Sequence, residues 1–86
     1  MQANVSAQPC KLIIKVIKAE NLIKMDDQAA DPFVELRIKG SPETPMKTRT
    51  MDHNLNPVWD NTIELLVNDW NTDILLVDLL DEDIRV

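Results

Sequence analysis

Lys47-Thr48-Arg49-Thr50 runs through Asp52-His53-Asn54-Leu55-Asn56-Pro57-Val58-Trp59 into Thr62-Ile63-Glu64-Leu65-Leu66-Val67, and this stretch decides the fold. Two strand-like pieces flank a polar turn. Asn56-Pro57 suits that turn because proline presets φ and asparagine can bond its own backbone. Trp59, just after it, is expected to pack into the sandwich end with its N–H on a carbonyl partner. Ile63, Leu65 and Val67 then alternate with Thr62, Glu64 and Leu66, the two-residue period of a half-buried strand.

Upstream, Phe33 to Lys39 alternates most cleanly, with Val34, Leu36 and Ile38 facing a core and Glu35, Arg37 and Lys39 facing water. Gly40-Ser41-Pro42-Glu43-Thr44-Pro45 forces a loop, since its two prolines cannot donate ladder hydrogen bonds. Met46 to Met51 returns as a strand. The first strand starts at Cys10: Leu12, Ile14 and Val16 share one face, and Lys11, Lys15 and Lys18 decorate much of the rest. Ile13 and Ile17 blur that alternation, as in a strand covered on both faces. Downstream, Asn68 to Asp73 interrupts, and Ile74 to Leu80 forms a last apolar strand before Asp81-Glu82-Asp83. Short strands separated by turn residues specify an all-β antiparallel sandwich over residues 10–86. Residues 1–9 carry no charged side chain and read as a flexible tail.

The chain has 86 residues, enough for one small domain with a thin stability margin. Its formal charge of −6 argues against nucleic acid, which is bound by basic faces. An anionic membrane would also repel it unless bound cations changed the local sign. Cys10 is the only cysteine, so no internal disulfide forms, and a reducing, cytoplasmic setting fits. No stretch approaches the ~20 consecutive apolar residues of a membrane-spanning helix. A single glycine rules out a Gly-rich phosphate loop, and no nucleophile elbow or His/Cys cluster is present, so the chain reads as non-catalytic. Five strands leave bare edges in a two-sheet sandwich, and bare edges invite self-association.

Four segments carry a family resemblance when taken in order: Asp31-Pro32-Phe33-Val34-Glu35-Leu36, Lys47-Thr48-Arg49-Thr50, Asn56-Pro57-Val58-Trp59 and Asp81-Glu82-Asp83. Together with Lys11 to Leu22 they make residues 10–86 resemble a C2 domain, most like that of cytosolic phospholipase A2. The resemblance implies an antiparallel Greek-key β-sandwich of eight strands whose loops at one end hold calcium. On that pattern two or three C-terminal strands are missing here. It also implies a cytoplasmic module recruited reversibly to phospholipid membranes, with any lipid-hydrolase chemistry in a separate domain.

Carried over by position, the resemblance makes Asp31 and Asp81 bridging carboxylates and Asp83 a further ligand. Asp26 or Asp27 serves in the first loop, and His53 or Asn54 in the middle one. Calcium takes six to eight oxygen ligands, so carboxylates converging from separate loops suit it. The family's usual first-loop aspartate lies six residues before Asp31, where this chain has Met25; a shorter loop would deliver Asp26 instead. Ile23, Met25, Ile84 and Val86 flank the acidic loops and would enter the membrane interface, or else plug the end of the core. Arg37, Lys39, Lys47 and Arg49 form either a basic strand patch for anionic lipid or a solvated face. The leading expectation is calcium-dependent phospholipid binding. The alternative is a calcium-independent C2-type protein-interaction module whose acidic loops are inert.

Overall fold

A computed structural model describes residues 8–23 and 31–82. Five strands form: β1 (Cys10–Lys18), β2 (Pro32–Ile38), β3 (Met46–Lys47), β4 (Val58–Val67) and β5 (Leu75–Asp81). They make two antiparallel sheets, β1-β4 and β3-β2-β5, packed face to face. The all-β antiparallel sandwich expected from the alternation is the fold observed.

The core follows the period-2 pattern. Val34, Leu36 and Ile38 of β2 are buried, as are Trp59, Ile63 and Val67 of β4, while Ile14, Val16, Leu65 and Leu75 pack partly buried around them. Each fully buried aliphatic side chain contributes roughly 1.5–3 kcal/mol. The Ile38–Ser41 turn closes by the Ser41 N–H donating to the Ile38 carbonyl at 3.0 Å, with Gly40 at φ 78°, which glycine adopts without a Cβ penalty.

Four local expectations are corrected. The strand expected over Met46 to Met51 ends at Lys47, because Thr48 turns its side chain into the ladder. Its Oγ1 accepts the Val34 N–H at 2.9 Å, while its own N–H donates to the Val34 carbonyl at 2.9 Å. The last strand begins at Leu75 rather than Ile74, and Ile74 is exposed. Ile13 and Ile17 are exposed too, so among the described residues β1 is covered on one face only. Trp59 is 1% exposed in the core, yet its Nε1 finds no acceptor among the described residues, where the sequence led us to expect a carbonyl partner.

Both β1 and β5 run toward the same end of the sandwich. The Ala19 N–H donates to the Pro57 carbonyl at 3.0 Å and the Leu22 N–H to the Leu55 carbonyl at 2.9 Å, tying the end of β1 to the start of β4. The start of β2 meets the end of β5, with Pro32 opposite Asp81. That shared end carries the acidic residues.

Candidate metal and membrane site

Asp31 and Asp81 lie 50 residues apart in the chain, and the β2-β5 ladder brings them together. The Asp31 N–H donates to Asp81 Oδ1 at 3.0 Å, and the next residue along extends the junction, the Glu82 N–H donating to the Asp31 carbonyl at 3.0 Å. The loop before β4 arrives at the same place. His53 holds φ 47°, a left-handed value that histidine tolerates better than most residues, and aims its N–H at Asp31 Oδ1 at 2.7 Å. Its imidazole Nδ1 stands 3.8 Å from the same oxygen. The Thr50 hydroxyl donates to Glu82 Oε2 at 2.6 Å.

The site residues named from the sequence therefore separate into three groups. Asp31, Asp81 and His53 meet at one pole. Asp26, Asp27 and Asp83 lie outside the described residues, as do Met25, Ile84 and Val86. Ile23, the described member of the membrane-contact set, is 82% exposed beside this pole, on the segment that leaves β1. Among the described residues no group of three or more His, Cys, Asp or Glu side chains is arranged to hold a metal. Asp31 and Asp81 are hard oxygen donors of the kind calcium takes, and His53 meets Asp31 through its backbone N–H.

Two contacts at the pole escaped sequence reasoning. Thr50 to Glu82 spans 32 residues, and nothing local in either segment signals the pair. Asn56 Oδ1 accepts the Asn21 N–H at 2.8 Å, where Asn21 sits at φ 57°. An asparagine in a left-handed turn is a readable signal, but its partner 35 residues away is not.

The four basic residues do not form one patch. Arg37 and Lys47 lie on the outer face of the three-stranded sheet, and Lys47 Nζ stands 5.5 Å from the Phe33 ring centroid. Glu35 sits opposite both Lys47 and Asp78, which breaks the positive stripe. Arg49 is drawn away altogether, its Nη2 donating to the Trp59 carbonyl at 2.8 Å. Lys39 is exposed at the turn after β2.

Comparison with known proteins agrees with this architecture. The C2 domain family model matches residues 10–85. The chain belongs to the C2 domain family. This C2 domain is 40% identical over 75 residues to an Arabidopsis thaliana calcium-dependent lipid-binding protein, covering 86% of the chain and 14% of that protein. Cytosolic phospholipase A2 delta of Mus musculus is 30% identical over 76 residues, covering 87% of the chain and 9% of that protein. Among solved structures, human GIVD cytosolic phospholipase A2 in complex with an inhibitor and terbium chloride superposes with a TM-score of 0.80 at 29% identity, covering 92% of this chain and 12% of that one. A C2 domain of plant extended synaptotagmin 1 superposes with a TM-score of 0.79 at 31% identity, covering 88% of this chain and 60% of that one. The chain thus spans about one seventh or less of the length of the two full-length relatives.

Proposed function

We propose that this C2 domain is a calcium-dependent phospholipid-binding module that brings a cytoplasmic protein to membranes, the parent protein being a candidate lipid hydrolase. The observation that carries the reading is the convergence of Asp31 and Asp81 at one pole, joined through the Asp31 N–H at 3.0 Å. Carboxylates gathered at one pole repel each other in the absence of a cation, which favours binding one. Asp31 and Asp81 would hold calcium together with Asp26, Asp27 and Asp83 from the loops on either side, and calcium supplies positive charge that lipid phosphate can share. Ile23, exposed beside the pole, presents apolar surface to the interface, and Met25, Ile84 and Val86 belong to the same loops. Arg37, Lys39 and Lys47 add a weaker attraction to anionic headgroups. Arg49 is engaged within the fold. The module itself carries no catalysis. Its similarity to lipid-binding and phospholipase relatives supports this reading.

A second reading, a calcium-independent interaction module, draws on the fact that Asp31 Oδ1 and Asp81 Oδ1 each already accept a backbone N–H. Carboxylates can serve there as loop clamps alone. Co-sedimentation with phosphatidylcholine–phosphatidylserine vesicles separates the two. Binding that appears with calcium, disappears with chelator and is lost in Asp31→Asn and Asp81→Asn supports the first. Binding indifferent to calcium and to both substitutions refutes it.

A further inference from the structure

The outer face of the three-stranded sheet sets positive residues around a negative centre. Phe33, Glu35 and Arg37 share this face of β2, because Val34, Leu36 and Ile38 between them are buried. Glu35 stands opposite Lys47 of β3 on one side and Asp78 of β5 on the other. Residues directly opposite in a ladder have Cβ atoms about 4.5–5.5 Å apart, so Glu35 and Asp78 are like charges held side by side.

Neither carboxylate is neutralised among the described residues. The ion pairs there join Lys11 to Glu64, Lys15 to Asp60, Lys18 to Glu20 and His53 to Asp31, and none includes Glu35 or Asp78. Lys47 is within reach of Glu35, yet its Nζ stands over the Phe33 ring at 5.5 Å from the centroid. Arg37 faces Leu76, so no acid answers it across β5. Asp78 is exposed, and opposed like charges destabilise a sheet, so a neutral polar residue there would serve the fold better. Folding does not explain the pair.

We propose that Glu35 and Asp78 are specificity residues that keep multiply phosphorylated headgroups off this face. The inference rests on the reading of the module as a phospholipid binder. A phosphomonoester carries a charge of about −1.5 to −2 near neutral pH, and it is held by lysine and arginine donors in close array. A phosphate seated on Lys47 meets Glu35 on the neighbouring strand, with Asp78 one strand further. One reaching on to Arg37 passes the same two carboxylates. Arg49, which would strengthen the cluster, is turned to the Trp59 carbonyl. Adjacent strands lie about 4.8 Å apart. That is inside the screening length of about 8 Å at 0.15 M salt, so the repulsion persists at physiological salt. Unfavourable charge placed against the wrong ligand is a route to selectivity in itself. Arg37, Lys39 and Lys47 then retain only a weak, general attraction for an anionic surface. Headgroup choice falls to the pole of Asp31 and Asp81, where calcium would meet the single phosphodiester common to phospholipids.

Vesicle flotation of the protein in chelator tests it. One set of vesicles is phosphatidylcholine with phosphatidylinositol bisphosphate, and the other is phosphatidylcholine with phosphatidylserine at the same surface charge. The parent protein should bind both weakly and alike. Glu35→Gln with Asp78→Asn should bind the bisphosphate vesicles about tenfold more tightly than the parent, and the phosphatidylserine vesicles at most about twofold more tightly. Asp78→Asn alone, at an exposed position, should give about threefold on the bisphosphate vesicles. Adding Arg37→Ala to the double variant should abolish the gain. Asp60→Asn with Glu20→Gln removes the same charge away from this face and should not reproduce it. Thermal unfolding of the double variant should match or exceed the parent, since the opposed pair is relieved. A parent that already favours the bisphosphate vesicles, a double variant that gains nothing, or an equal gain from the distant charge change overturns the proposal. Failure of the calcium-dependent co-sedimentation would refute the earlier reading alone, because these arms contain no calcium.

Discussion

Thr48 is where a single atom decides whether the segment serving the acidic pole stays in place. Its Oγ1 accepts the Val34 N–H at 2.9 Å and donates to the Arg49 carbonyl at 3.0 Å, and both Thr48 and Val34 are buried. Thr48→Val keeps shape and volume but removes the oxygen. The Val34 N–H is then left in the core with no acceptor, at a cost of about 1–3 kcal/mol, and the lost bond to Arg49 adds about 0.5–1 kcal/mol. A total near 2–3 kcal/mol lowers the melting temperature of a domain this size by roughly 10–20 °C. In urea the midpoint should fall by about 1.5–2 M with the slope unchanged. Thr48→Ser retains the oxygen and loses one methyl group, so it should cost about 0.8 kcal/mol. If Thr48→Val stays within about 0.5 kcal/mol of the parent, or Thr48→Ser is as damaging as Thr48→Val, the hydroxyl is not what holds this segment to β2.

Three further outcomes follow from the contacts at the pole and on the sheet. Asp31→Asn retains an oxygen to accept the His53 N–H and should leave urea stability within about 1 kcal/mol, whereas Asp31→Ala removes the acceptor and should cost about 0.5–1.5 kcal/mol more. Arg49→Ala deprives the Trp59 carbonyl of its donor and should destabilise by about 1–2 kcal/mol, while Arg37→Ala, exposed on the outer face, should stay within about 0.5 kcal/mol on the same measurement. Ile23→Ser should not change thermal stability, since Ile23 is 82% exposed, yet calcium-dependent vesicle partitioning should drop roughly tenfold or more as the inserted apolar surface is lost. Unchanged partitioning would remove Ile23 from the membrane contact.

Where the sequence proved legible, the signal was local. Alternation over Phe33 to Lys39 and over Thr62 to Val67 identified the buried faces of β2 and β4, because successive side chains in a strand point to opposite sides whatever the rest of the chain does. The same reasoning failed where a side chain replaced backbone in the ladder, as at Thr48. Sequence also read Trp59 as buried, correctly, but could not show that its Nε1 would be left without an acceptor, since that depends on which carbonyls the opposite sheet presents. Arg49 looked equivalent to Arg37 by spacing and charge. Only the fold bends it back onto the Trp59 carbonyl.

The chain's residues alone determined the strand class, the positions of the turns and the presence of two acidic segments, all of which depend on periodicity and on residue types close together in the chain. Tertiary structure alone decided that Asp31, His53 and Asp81 share one pole and that Glu35 interrupts the basic stripe. Those relations join residues tens of positions apart, and they follow from strand register and sheet stacking, which no local pattern encodes.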